Sequence, residues 1–222
     1  MKKLLPVLLI ATMLFSLAGC SGSSEESNAS ASPAPASSSS NDTTSSLPSD
    51  TDPQQPKEEP VSESSHSLIA YFSWSGHTEQ LANMIQTETG GDLFAIETKM
   101  PYTDDYDAVV DQAKQEQEEN ARPALASQVE NMDDYDTIFI GYPNWWNDVP
   151  MAVLTFVESY DWTGKTIIPF CTSGGGGFGQ GLRSIEAAAD GAVFLEGFHV
   201  NGSSVDGAAT DVSAWLNTVK NQ

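Results

Sequence analysis

From Ser67 onward, short apolar runs alternate five times with longer amphipathic stretches, and no other feature limits the fold as strongly. The runs are "SLIAYFS", "DLFAIET", "TIFIGYP", "TIIPFCTS" and "VFLEGFHV", each with the length and the branched or aromatic composition of a strand. The stretches between and after them, "HTEQLANMIQTETG", "DDYDAVVDQAKQEQEEN", "VPMAVLTFVESY", "GQGLRSIEAAADG" and "DVSAWLNTVK", have helical length. In the first, Leu81, Met84 and Ile85 fall at i, i+3 and i+4 on one face. Such alternation builds an α/β domain, a parallel sheet with helices on both faces, here of about 155 residues. Open sheets of this kind bind ligands at the carboxyl ends of the strands, where the strand order reverses. The loops after the first, third and fourth strands are therefore where a site is expected.

The first of these loops, in "YFSWSGHTEQLA", presents Ser73, Ser75, Gly76 and Thr78 without a single lysine or arginine. Hydroxyls combined with the free N–H groups of a helix start make a neutral cage of donors around an anion, and a phosphate fits it. The helix end contributes about 0.3–1 kcal/mol, and each hydrogen bond to a charged phosphate roughly 1.5–3 kcal/mol. Several such bonds suffice without a cation. A lone serine here would read as an ordinary helix N-cap; three hydroxyls and a glycine in six residues read as a site.

The loop after the third strand, "GYPNWWNDVP", carries two adjacent tryptophans bracketed by Pro143 and Pro150. Neighbouring side chains cannot easily both point into a core, so at least one is expected to line a pocket, where a flat aromatic ligand would gain ~0.5–1.5 kcal/mol beyond burial. After the fourth strand, "CTSGGGGFGQG" places Gly174, Gly176 and Gly179 in a G-x-G-x-x-G pattern, with Glu196 about twenty residues on. That fingerprint belongs to the first βα turn of its unit, and a run of glycines meets many glycine patterns by chance. The run reads better as backbone brought close to the polar edge of a planar ring.

Together these segments resemble the flavodoxin family, over essentially all of Ser67 to Gln222, with three separate loops matching in order. The resemblance implies a flavodoxin-like doubly wound five-stranded parallel sheet, in the order 2-1-3-4-5, and FMN as cofactor. Its first-loop pattern, [ST]-x-[ST]-G-x-T, implies phosphate contacts from Ser73, Ser75, Gly76, His77 and Thr78, with Trp74 among the cofactor-binding residues. The same resemblance puts Pro143, Asn144, Trp145, Trp146 and Asn147 on one side of the isoalloxazine, and Thr172, Ser173, Gly174, Gly175, Gly176, Gly177 and Phe178 on the other. His77 departs from the family, where asparagine is common. Which aromatic stacks on the ring stays open among the two tryptophans, Tyr142 and Phe178.

Ahead of this domain, Met1-Lys2-Lys3, an apolar run from Leu4 to Leu17 and "LAGC" resemble a bacterial lipoprotein signal peptide over residues 1–19, cut before Cys20, which is then acylated. The apolar run is shorter than the ~18 residues that suggest a spanning helix. Residues 20–66 form a Ser/Pro-rich acidic stretch with too little apolar surface to offset ordering entropy, and are expected to be a disordered tether of roughly 35–40 Å r.m.s. span. The expected location is extracytoplasmic, attached to the membrane through Cys20. With Cys20 acylated, Cys171 is the one remaining thiol and no internal disulfide forms.

The chain carries a formal charge of −22; without Lys2 and Lys3, seven basic residues face 31 acidic ones, which gives −24. Such a surface repels nucleic acid. It suits redox protein partners with basic docking surfaces, or simply keeps the protein soluble. The three histidines, His66, His77 and His199, have no metal-ligand spacing. Three functions are compatible with these residues: a membrane-tethered flavodoxin carrying electrons between proteins, which is favoured; an FMN-dependent NAD(P)H:quinone-type oxidoreductase; and an FMN-binding module without turnover. The preference for a carrier rests on the absence of a surviving second nucleotide fingerprint and of a cysteine cluster.

Overall fold

The computed structural model describes residues 66 to 221. The signal peptide, Cys20 and the tether up to Ser65 lie outside the described residues. Among the described residues, five α-helices and six short strands follow one another: β1 (Ser67–Tyr71), α1 (His77–Thr89), β2 (Asp92–Ala95), α2 (Tyr106–Glu118), β3 (Thr137–Pro143), α3 (Met151–Val157), β4 (Thr166–Ser173), α4 (Gly181–Ala188), β5 (Val193–Phe194), β6 (Phe198–Asn201) and α5 (Ala209–Val219). The sheet is parallel in the order β2-β1-β3-β4-β5, with β6 also on β4. This is the expected flavodoxin-like topology, and the reversal of strand order falls between β1 and β3.

Alternation along the strands sends side chains to two cores. Leu68, Ala70, Ile138 and Ile140 pack on one face with α3 residues such as Val153 and Phe156 and with Ile185 of α4. Ile69, Phe139 and Ile168 pack on the other with Leu81 and Ile85 of α1 and with Val212 and Leu216 of α5. Each fully buried aliphatic side chain contributes about 1.5–3 kcal/mol. Burial on both faces explains why the central strands read as continuous apolar runs. Among the described residues no helix is long and apolar enough to cross a membrane.

The fifth strand differs from expectation. "VFLEGFHV" forms two short strands, both on β4, with Leu195, Glu196 and Gly197 outside them. The cause lies in β4. The N–H groups of Val193 and Leu195 donate to the carbonyls of Lys165 and Ile167, so every second residue of β4 turns its backbone groups toward this strand. The next in that series is Pro169, which has no N–H to return. The ladder stops there and resumes at Phe170↔Phe198. Gly197 fits the gap because a Cβ on it would lie 2.6 Å from the Pro169 carbonyl oxygen. A 3-10 segment, Gly202–Gly207, then leads into α5, which begins two residues earlier than the sequence suggests.

Candidate functional site

At the carboxyl ends of β1, β3 and β4 the structure opens into a cleft of about 590 Å³, within the range of small-molecule and cofactor sites. Its walls combine a donor-rich end and an aromatic end.

The donor-rich end is the start of α1. Gly76 occupies the N-cap position at φ +87, a left-handed conformation that suits glycine, and no side chain caps the helix. No protein group among the described residues accepts from the backbone N–H groups of Ser73, Trp74, Ser75 and Gly76. Those of His77, Thr78 and Glu79 belong to the first helical turn, before any intrahelical acceptor; the first such bond runs from the Gln80 N–H to the Gly76 carbonyl at 2.9 Å. The Ser73 hydroxyl oxygen is buried and has no partner among the described residues. A buried unsatisfied hydroxyl costs about 1–3 kcal/mol, which an acceptor placed here would recover. Ser75 Oγ lies 3.2 Å from His77 Nδ1.

The Thr78 hydroxyl meets the end of β4. It is buried and lies 2.8 Å from Thr172 Oγ1, tying α1 to the end of β4. Thr172 itself lines the cleft.

The aromatic end answers how two adjacent tryptophans are accommodated. Trp145 and Asp148 exchange backbone hydrogen bonds of 2.9 and 3.0 Å around a two-residue turn. Trp146 (φ +50) and Asn147 (φ +65) both take left-handed conformations there, as the mirror-image hairpin turn requires. Asparagine tolerates that region; for a bulky tryptophan it is strained. The reversal separates the two rings. Trp145 packs edge-on against Phe72 (5.3 Å) and Tyr102 (5.4 Å), whereas Trp146 stays 50% exposed, its indole N–H donating to the Val110 carbonyl at 2.9 Å. Trp74 closes the side near α2, with its indole N–H on the Thr103 carbonyl at 2.8 Å and its ring 6.1 Å from that of Tyr106.

A model of the family described as flavodoxin matches residues 66–219. The chain belongs to the flavodoxin family. Among solved structures, a candidate flavoprotein from Bacteroides uniformis is 33% identical, covering 68% of this chain and 97% of that one with a TM-score of 0.61. Another from Bacteroides eggerthii is 32% identical, covering 70% and 98%, with a TM-score of 0.59. A flavoprotein from Lactobacillus acidophilus in complex with FMN shares the fold at 24% identity, covering 64% and 97%, with a TM-score of 0.52. No curated protein matched the chain.

Within this flavodoxin cleft, ten of the residues expected from the sequence form the lining: Trp74, Ser75, His77, Pro143, Asn144, Trp145, Trp146, Thr172, Ser173 and Gly174. Of the others, Ser73, Gly76 and Thr78 belong to the donor-rich end described above, and the rest stand behind the lining. Asn147 uses its carbonyl to accept from the Gln180 N–H at 2.7 Å. Gly175 and Gly177 donate their N–H groups to Ser173 Oγ at 3.3 and 3.0 Å. Gly176 donates no chemistry of its own but accepts, through its carbonyl, from the Gly179 N–H at 3.2 Å. Phe178 packs edge-on against His199 at 5.4 Å and near Tyr142, and does not reach the cleft. Tyr142 is fully buried, with burial pushing its phenol well above the usual range. Neither is placed to stack on a ligand, which leaves the tryptophans and Tyr106. Beyond the run, Gly179 serves loop packing: a Cβ on it would lie 2.5 Å from the Asn147 carbonyl oxygen, whereas a Cβ on Gly174 or Gly175 would meet nothing within 4 Å.

Seven lining residues were not foreseen. Tyr106, Val109, Val110 and Ala113 come from α2, and Asn201, Gly202 and Ser203 from the turn after β6. The α2 set has a signal in the sequence, a stripe at i, i+3, i+4 and i+7. The same helix brings Lys114, whose ammonium lies 5.4 Å from the Trp146 ring centroid, so the cation-free loops acquire a cation from a helix.

Proposed function

We propose that the domain binds FMN in this cleft and that the protein works as a membrane-tethered electron carrier. One observation carries the cofactor reading: a single cleft has an uncharged donor cradle at one end and tryptophans at the other, which matches a phosphate joined to a flat ring. The complex of the Lactobacillus acidophilus relative with FMN supports it. Bound FMN would supply the capacity to take up and release electrons singly or in pairs. The residues of this chain have the other tasks. The amides of the α1 start, Ser73, Ser75 and His77 hold the phosphate; Trp74, Trp145 and Trp146 flank the ring and keep water from it; Asn144 and Ser173 hold the two ring-side loops.

The carrier reading adds the charge. With −24 on the mature chain, each added negative charge on the ring is disfavoured. One unit charge ~10 Å away costs roughly 1.7 kcal/mol at an effective dielectric of ~20 before screening, on the order of 70 mV per electron. The cost would fall on the step that leaves the ring negatively charged and would set that step at the lower potential. Acylated Cys20 and the residue 20–66 tether would hold the domain beside the membrane, where a basic partner docks.

Titration of the purified protein with FMN and with riboflavin tests the cofactor. Ser75→Ala is expected to weaken FMN at least tenfold and leave riboflavin unchanged, the loss of one hydrogen bond to a charged group. Equal losses rule out the phosphate assignment. Anaerobic mixing with NADH and NADPH separates carrier from reductase: slow, unsaturable reduction supports the carrier, and rapid saturable reduction replaces it with the oxidoreductase.

A further inference from the structure

The turn that follows β6 forms part of the same cleft as the start of α1. Asn201, Gly202 and Ser203 line it together with Ser75 and His77. The imidazole is the meeting point. Its Nδ1 lies 3.2 Å from Ser75 Oγ, and a Cβ on Gly202 would stand 2.7 Å from that same nitrogen and 3.4 Å from Cγ and Cε1. Gly202 has no left-handed φ, so left-handed strain is not what favours glycine there. A side chain there would have to displace the imidazole. Gln80 Nε2 fastens α1 to the 3-10 segment through Asp206 Oδ1 at 2.6 Å, so the imidazole cannot easily be relieved by drawing the two elements apart.

The hydrogens available here can be counted. Asn201 Oδ1 accepts from the Ser203 N–H (3.0 Å) and hydroxyl (2.8 Å), which turns the amide oxygen inward and leaves the Asn201 NH2 without a protein partner among the described residues. Ser75 and a neutral His77 hold two polar hydrogens between them, and their mutual bond uses one. Either tautomer leaves the pair one hydrogen for an oxyanion.

We propose that His77 and Gly202 are a matched pair: the glycine leaves the imidazole room beside Ser75, and the imidazole with the Asn201–Ser203 turn forms a second wall of the phosphate cradle. Preference for the phosphorylated flavin then depends on a residue that contributes no functional group. This rests on the FMN reading above.

The test is a double-mutant cycle on the ratio of riboflavin to FMN dissociation constants, measured by quenching of flavin fluorescence. Gly202→Ala is expected to lower the ratio about tenfold, as is His77→Ala. The double variant is expected to match His77→Ala alone, because the methyl group then meets no ring. Gly207→Ala serves as control, since a Cβ there meets nothing within 4 Å, and is expected to keep the wild-type ratio. A wild-type ratio in Gly202→Ala overturns the pair while leaving the FMN reading intact, and so does an equal loss from Gly202→Ala with and without the imidazole. If Gly202→Ala alone does not fold, the double variant still decides: a ratio below that of His77→Ala overturns the pair, and an equal ratio supports it. A wild-type protein with no preference for FMN overturns both readings.

Discussion

The side-chain amide of Asn144 donates to the carbonyl oxygen of Gly177 at 2.7 Å, joining the loop after β3 to the loop after β4 across 33 residues of sequence. The Asn144 N–H also donates to the Thr172 carbonyl at 2.9 Å, and Ser184 Oγ meets Asp148 Oδ2 at 3.0 Å. The tryptophan turn and the glycine run are therefore one unit. Asn144→Ala removes the tie and leaves the Gly177 carbonyl with the Cys171 thiol, at 3.5 Å, as its donor, at a cost of about 1 kcal/mol. Because the tie lies at the ring end, FMN and riboflavin are expected to lose affinity together. A loss confined to FMN would place Asn144 at the phosphate instead.

Trp146 is held at φ +50, a strain of about 1–3 kcal/mol that functional sites tolerate. Trp146→Gly relieves it and forfeits an exposed hydrogen bond and an exposed cation–π contact, each worth at most about 1 kcal/mol. Thermal melts are expected to show a flavin-free domain no less stable than wild type, while flavin affinity falls. A fall in both would mean that the packing lost with the half-buried ring and the added chain entropy of glycine outweigh the strain relieved.

Cys171 is fully buried, and burial pushes its thiol up to about 12. Since the thiolate is the reactive form, iodoacetamide at pH 8 is expected to leave Cys171 unmodified in the folded protein and to alkylate it in denaturant. Peptide mass mapping distinguishes it from Cys20. Rapid labelling of the folded chain would contradict the burial.

Arg122 grips Glu158 with two hydrogen bonds, Nε to Oε2 at 2.7 Å and Nη2 to Oε1 at 2.6 Å. The first effect of that grip is to hold the Glu158 carboxyl below its usual range. A carboxylate lowered in the folded state stabilises above its unfolded value, about 4.3, and that contribution fades as pH falls through the folded value. The pair is substantially exposed, so the gain is at most about 1 kcal/mol. Arg122→Gln is expected to lower Tm slightly at pH 7, and the difference from wild type to shrink below about pH 4. A difference independent of pH would show that the arginine acts through its bonds to Asn120 and Ala121 rather than through its charge.

The parallel sheet, its five helices and the three loops at the strand ends were legible in the residues, because each depends on spacing within a few neighbouring positions. Ser75, Trp145 and Gly174 reach the cleft as their local patterns suggest. Other features depend on residues far apart in the chain. The break in the last strand comes from Pro169, a missing donor in the strand beside it. Thr78 bonds Thr172, 94 positions away, so a hydroxyl that reads as a phosphate ligand in its loop also joins α1 to β4, which its local pattern does not show. His77 reads as an isolated departure until Gly202 is seen to leave space for it. Periodicity along a strand or helix records which side chains leave water, but not which element comes to meet them; that follows from how the layers pack, and here packing supplied one wall of the cleft from α2 and another from the turn after β6.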